Sequence, residues 1–289
     1  MKSFCRFFLF IYFFFYPGAV IVCQPGSYFY DSFQLASEYD KLSNPQFIQG
    51  KKLVSLLKIK KGQKVLDIGC GTGRLAAYVA EITGREGTVI GIDPSPFRID
   101  IARRREKENL KFKVASTEDL YLFKDNYFDV IYLNSVFHWI DNKPQAIAEI
   151  YRLLKPGGKL GIAMGAKHQN LLLMSIVRKS VQSVLGYVPK EFDTTEYRRE
   201  AEEAQGLVLE SGFKILETKT QNYIDLFKTG EELIRFYESS SGGSLLREFP
   251  DFQRKKIISH IEQALDRLKT PKGIAIPHSI LFLICEKPK

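Results

Sequence analysis

Residues 65–74 read VLDIGCGTGR, an apolar strand running straight into glycines at 69, 71 and 73. Glycine has no Cβ, so a backbone built from it can turn sharply and approach a ligand closely. The next stretch, RLAAYVAEITG, has helical periodicity, and its first turn presents unpaired N–H groups at the same place. The spacing is G-x-G-x-G with Asp67 ahead of it, which differs from the G-x-G-x-x-G dinucleotide fingerprint. One strand later, VIGID ends on Asp93, twenty residues beyond Gly73. At a strand C-terminus a carboxylate can accept both hydroxyls of a ribose.

Outward from this junction the chain alternates strand and helix. KVLDIG, TVIGID, KFKVAS, FDVIYLN and KLGIAMG read as strands, and FKILETKT (213–220) and SILFLICEK (279–287) as two more. The first five are apolar with little period-2 polarity and are separated by helical segments such as PFRIDIARRREKEN and NKPQAIAEIYRLL. That pattern predicts an α/β fold, a Rossmann-like seven-stranded mostly parallel sheet with helices on both faces. Segments 167–205 and 222–278 are rich in Lys, Glu and Arg and read as helical cap insertions. Residues 27–57 read as two amphipathic lid helices broken near Asn44-Pro45, leaving 58–289 as the main domain.

Residues 1–26 stand apart as an apolar leader. Lys2 and Arg6 precede FFLFIYFFFYPGAVIVC (7–23), which carries no charge. Seventeen residues are at the short limit for a membrane span, and Pro17-Gly18 interrupts them. The leader reads as an uncleaved anchor, a cleaved signal or an incidental extension. The expectation is membrane association through 7–23, with a secreted or lumenal domain if the leader is cleaved and a cytoplasmic one if translation starts later.

Composition narrows the rest. Apolar residues make up 45% and charged residues 26%, ordinary values for a globular chain. The net charge of +9 permits anionic partners without requiring them. Arg103-Arg104-Arg105 is interleaved with Asp100, Glu106 and Glu108, which reads as a solvated helix face. Cys5, Cys23, Cys70 and Cys285 form no CxxC pair, so no metal site is expected.

With these residues in hand, the chain resembles class I S-adenosylmethionine-dependent methyltransferases over about residues 36–165. VLDIGCGTG is similar to the family's first motif and GIDPS (91–95) to its ribose-binding one. ASTEDL (115–120) stands where the adenine-contacting segment falls. FDVIYLNSVFHWI (128–140) is similar to the fourth-strand motif, and LLKPGGKL (153–160) to the turn into the fifth strand. The resemblance implies S-adenosylmethionine as cofactor, contacted by Asp67, Gly69, Cys70, Gly71, Gly73, Asp93, Pro94, Ser116, Thr117, Glu118 and Asn134. Ser116 departs from the acidic residue that many relatives carry there. Tyr39 is placed to cover the cofactor from the lid.

The acceptor is expected to be a small molecule. Asn134-Ser135-Val136-Phe137 is not the Asn/Asp-Pro-Pro-aromatic motif of base methyltransferases, so no nucleic-acid partner is expected. His138 is the candidate catalytic residue, because His168, His260 and His278 fall in the cap segments. The run around it resembles small-molecule carboxyl methyltransferases. A carboxylate needs no base, which suits a site so poor in titratable groups. O-methylation of a carboxylate of a lipophilic or carrier-linked acid is therefore expected. C-methylation of a quinone or sterol-type lipid is the alternative, and a non-catalytic S-adenosylmethionine-binding protein is the rival of another class.

Overall fold

The structure is a computed structural model that describes residues 31–166, 171–189, 200–241, 246 and 249–289. The leader at 1–26 lies outside the described residues, as do 167–170, 190–199, 242–245 and 247–248 of the expected cap segments. Among the described residues no helix is long and apolar enough to cross a membrane.

Two helices open the described chain. α1 (Phe33–Leu42) starts where the Ser32 hydroxyl accepts from the Leu35 N–H, satisfying one of the free donors of the first turn. α2 (Asn44–Leu57) carries Pro45 in its first turn and ends on Lys58 in the left-handed region. The strands β1 (Lys64–Ile68), β2 (Thr88–Asp93), β3 (Leu110–Val114), β4 (Phe128–Asn134) and β5 (Leu154–Gly165) then alternate with α3 (Arg74–Thr83), α4 (Pro96–Arg103) and α5 (Lys143–Leu153). β6 (Lys214–Phe227) and β7 (Ile274–Glu286) complete a seven-stranded sheet of order β3-β2-β1-β4-β5-β7-β6. Only β7 runs against its neighbours in this sheet.

Both faces of the sheet are buried. Successive strand residues point to opposite sides, so Val65 and Leu66 enter different cores. Leu66, Ile68, Ile131 and Leu160 pack with Ile147 and Ile150 of α5. Val65, Val89 and Val130 pack with Leu53 of α2, Val79 of α3 and Ile99 of α4. This two-layer covering is the expected α/β arrangement.

Three elements differ from expectation. The helix expected over 96–109 stops at Arg103, because Lys107 pairs with Leu110 in a tight turn that leads straight into β3. α7 (Glu200–Glu210), expected within a cap, buries Ala204 and Val208 against the sheet beside α5 and Phe213. The expected cap over 222–278 is strand at both ends. β7 pairs with β5 only as far as Gly165↔Ile280, yet it continues with β6 from Asn222↔Ser279 to Phe227↔Ile274. This two-stranded ribbon overhangs the edge where the parallel strands end. α6 (Leu171–Leu185), α8 (Gly230–Ser240) and α9 (Asp251–Asp266) build a third core on it with Phe227, Ile274 and Ile276. Long strands were not legible there because the outer strand's polar residues at 221, 222 and 225 follow no period-2 alternation and fall at helix-like spacing.

Candidate functional site

The glycine loop is fixed by the strand beside it. Gly69, Gly71 and Gly73 all have positive φ, from 55° to 79°, which only glycine adopts without steric cost. The N–H groups of Gly69 and Cys70 both donate to the Ile92 carbonyl. Asp93 completes the tie: its Oδ2 accepts from the Gly71 N–H and its Oδ1 from the Ser95 N–H, each at 2.9 Å. Pro94 lies between these anchors. Gly73 turns the chain into α3.

Acidity is concentrated under the loop. Asp67 is buried and accepts from the Tyr132 hydroxyl at 2.8 Å. Burial pushes its carboxyl up to about 8, opposed by that hydrogen bond and reinforced by the Asp93 charge. Burial also raises Asp93, against the pull of the Arg98 guanidinium. The Cys70 thiol, buried beside both carboxylates, is held well above its ordinary value and stays protonated.

A cavity of about 30 Å³ lies against the loop. Of the expected residues, Asp67, Gly69, Cys70 and Asn134 form its wall, joined by Gln46, Phe47, Thr72 and Arg74. Asn134 Oδ1 and Gln46 Oε1 are buried there without a hydrogen-bond partner. Such atoms carry a desolvation cost unless a donor reaches them. Tyr39 covers the loop, since a Cβ built on Gly71 would stand 3.1 Å from its ring.

Arginines bind this lid down. Arg98 stacks its guanidinium 4.4 Å from the Tyr39 ring centre, donates to Asp31 at 2.8 Å and reaches the Ser239 carbonyl at 2.7 Å. Arg74 donates to Ser43, Asn44 and the Asp40 carbonyl, and Arg105 pairs with the Asp40 carboxylate. The cavity is far smaller than the roughly 300–1,000 Å³ of a small-molecule site.

Ser116, Thr117 and Glu118 lie at the start of a 3₁₀ turn over Thr117–Leu122, outside the cavity wall. The Ser116 hydroxyl accepts from Glu118 N and donates to Asp119, whose carboxylate also accepts from Ser116 N. This capping box occupies the side chain expected to face adenine. The Ser-x-x-Asp spacing announces it in the sequence.

His138 is also absent from the cavity wall. It lies on a short 3₁₀ turn with its ring 4.8 Å from that of Trp139. Burial lowers it to about 4, helped by the Lys143 charge, so it is neutral at physiological pH.

Another histidine, likewise absent from the cavity wall, lies on the ribbon rather than in a helical cap. His278 of β7, 9% exposed, receives the Gln49 amide of α2 at its Nε2, 2.9 Å away. Its Nδ1 lies 3.4 Å from Asp225 Oδ2. Tyr223, its directly opposed partner on β6, stacks on the ring at 5.6 Å with a buried hydroxyl that has no partner. Sequence reading missed this group because Gln49 and His278 are 229 residues apart.

Comparison with known proteins bears on the same residues. The methyltransferase domain family matches residues 66–162, about a third of the chain, spanning the glycine loop, Asp93 and Asn134. Residues 66–162 match a methyltransferase domain, the family that the motifs resemble. The domain is 31% identical over 149 residues to a demethylmenaquinone methyltransferase of Lactobacillus johnsonii, covering 48% of this chain and 61% of that one. It is 33% identical over 125 residues to a malonyl-[acyl-carrier protein] O-methyltransferase of Pectobacterium atrosepticum, covering 43% and 47%. The chain thus spans about half to three-fifths of these relatives. Phosphoethanolamine N-methyltransferase 2 of Haemonchus contortus, solved with phosphomonomethylethanolamine and S-adenosylhomocysteine, has the same fold. Its TM-score is 0.56 at 21% identity, covering 89% of this chain and 58% of that one.

The residues present suit S-adenosylmethionine chemically, the cofactor that the motif resemblance implies. Asp93 retains lone pairs for ribose hydroxyls, while Asp67, Asn134 Oδ1 and Gln46 Oε1 supply acceptors for an ammonium group.

Proposed function

We propose that this chain transfers the methyl group of S-adenosylmethionine to a small, lipophilic molecule that enters beneath the β6–β7 ribbon. The observation that carries this reading is the overhang. The donor residues of β1, β2 and β4 occupy one part of the strand-end edge, and the ribbon roofs the part next to it. Methyl transfer from a sulfonium is an in-line displacement, so the protein chiefly aligns donor with acceptor and excludes water. The lid and the ribbon are the elements placed to do both.

Two acceptor chemistries have support. The malonyl-[acyl-carrier protein] relative supports the expected carboxylate O-methylation, and the demethylmenaquinone relative supports C-methylation. The carboxylate reading drew on the lack of any base other than His138. The buried His278–Asp225 pair removes that premise and favours an acceptor that must lose a proton. The intact loop and Asp93 argue against a purely binding role. We extend the proposal to the leader, whose apolar run at 7–23 would hold the protein where lipophilic acceptors partition.

The test is transfer of tritiated methyl from S-adenosylmethionine by the full-length protein. The panel is 1,4-naphthohydroquinone kept reduced under argon, a long-chain fatty acid and a dicarboxylic acid. Label in the organic extract establishes the transferase. Binding of the cofactor with no transfer to any acceptor would instead indicate a binding protein. Fractionation of the full-length and Δ1–26 proteins tests the leader, and equal solubility of the two would remove it from the proposal.

A further inference from the structure

We propose that His278, oriented by Asp225, is the general base that takes a proton from an acidic hydroxyl of the methyl acceptor, a hydroquinone-type ring. This rests on the methyl-transfer reading above and assigns it a residue. With the Gln49 amide donating to Nε2, the ring proton falls to Nδ1, which lies 3.5 Å from the Ile276 carbonyl and 3.4 Å from Asp225 Oδ2. A base whose far nitrogen faces a carboxylate, and whose near nitrogen accepts from an amide that a substrate hydroxyl can displace, is an arrangement suited to proton abstraction.

Its placement joins it to the donor site through one helix face. Gln46, Gln49 and Gly50 of α2 stand at i, i+3 and i+4, a spacing that puts them side by side. Gln46 lines the cofactor cavity, and a Cβ on Gly50 would stand 3.1 Å from Asn134 Nδ2. Gln49 reaches His278 from the same face. An acceptor that displaces the Gln49 amide would present its hydroxyl to Nε2 while its ring lies toward Asn134.

A purely structural histidine is the competing reading, but three facts weigh against it. His278 sits on the overhang, where its neighbours Ile274 and Ile276 do the packing. Asp225, whose carboxyl burial raises, lies beside it at the cost of desolvation. The Tyr223 ring stacks over it and carries a buried hydroxyl that has no hydrogen-bond partner.

The step balances. The hydroquinone O–H proton passes to His278 Nε2, and the ring carbon ortho to that oxygen becomes nucleophilic. This carbon displaces sulfur from the methyl group: a C–C bond forms, the C–S bond breaks, and the electron pair stays on sulfur. The ring C–H proton then leaves to water as His278 returns its proton to the oxygen. One proton is released overall.

The experiment compares wild-type, His278→Gln and Asp225→Asn full-length protein with 1,4-naphthohydroquinone under argon. It measures kcat, KM, their pH profiles and S-adenosylmethionine affinity. Loss of general-base catalysis is worth about 10²–10⁴-fold. His278→Gln should lower kcat by that factor, leave cofactor affinity unchanged and abolish the fall of kcat on the acid side. Asp225→Asn should lower kcat less and move that limb. The groups facing His278 are Asp225 and Tyr223 on β6 and Gln49 on α2, with Tyr237 of α8 beside Asp225.

A readout apart from turnover is the ¹⁵N resonance of His278. It should shift when naphthohydroquinone is added with S-adenosylhomocysteine. Cofactor affinity reports folding, and a His278→Gln protein that fails to fold leaves Asp225→Asn and the wild-type resonance to decide. Wild-type kcat in either variant that binds cofactor, or an unmoved resonance, overturns the base while methyl transfer stands. Methylation of the fatty acid but not the hydroquinone overturns the acceptor class and the base together. No transfer to any acceptor by cofactor-bound protein overturns the transferase reading itself.

Discussion

The Tyr132 hydroxyl donates to the Asp67 carboxylate at 2.8 Å across β1 and β4, where the two residues are direct register partners. Both side chains are buried, and desolvation pushes Asp67 up to about 8 even with this bond in place. Asp67 is therefore largely protonated at neutral pH until a cation arrives. Binding the methionine ammonium of S-adenosylmethionine favours the ionised form, so affinity should rise with pH and level off near 8. The slope cannot exceed about tenfold per pH unit for a single proton. Calorimetry in buffers of different ionisation enthalpy should detect proton release, and Asp67→Asn should flatten the profile. A flat wild-type Kd between about pH 6 and 8 would show that Asp67 does not face the ligand's charge.

Arg98 is the fastener of the lid. Its ion pair with Asp31 is nearly dry, with side chains 6% and 1% exposed, and the same guanidinium holds the Ser239 carbonyl. Removing one partner of a buried pair costs about 3–5 kcal/mol, whereas replacing both by apolar groups is often neutral. Asp31→Ala should lower stability by that amount in denaturant titrations, and Asp31→Ala/Arg98→Met should recover most of it. A single variant within about 0.5 kcal/mol of wild type would mean the pair is solvated.

Asp93 ties the loop with both carboxylate oxygens, so its removal acts on the loop and on the ligand together. It holds the Gly71 and Ser95 N–H groups, and the motif resemblance assigns it the ribose hydroxyls. Asp93→Ala should weaken S-adenosylmethionine about 10–100-fold, the value of a charge-assisted acceptor. Gly71→Val should abolish binding, because φ is 55° there and the new Cβ would press on Tyr39. Gly62→Ala is the control. It is strained by φ of 79° but meets nothing within 4 Å, so it should cost stability and leave affinity intact.

Much of this was legible in the sequence because it is local. The loop 69–73, Asp93 and the strand–helix alternation follow from glycine chemistry and apolar runs, and β1, β2 and β4 lie where those runs fall. What was not legible is what distant segments do to each other. QNYIDLF (221–227) lacks period-2 alternation, and only its pairing with β7 makes it a strand beyond the sheet edge. Arg98 reads as one more charge on an amphipathic helix until Asp31 and Tyr39 close over it. His278 was set aside because its neighbours read as helical, while its partners come from α2 and β6.

His138 gives the last prediction, one of stability. Burial lowers its folded pKa to about 4, while an unfolded histidine titrates near 6.5. Between those values the unfolded chain binds the extra proton and the folded chain does not. Its contribution is thus fully present above about 6.5 and lost progressively as pH falls toward 4. The loss is at most about 3 kcal/mol, from roughly 2.5 units at 1.36 kcal/mol each. Denaturant titrations between those limits should show wild-type stability falling on acidification, and His138→Asn should remove that share of the slope. Removing the imidazole from beside Trp139 lowers the variant's stability at neutral pH, so the slope, not the intercept, is diagnostic. Parallel curves for the two proteins would mean that His138 protonates freely in the folded state and is open to solvent.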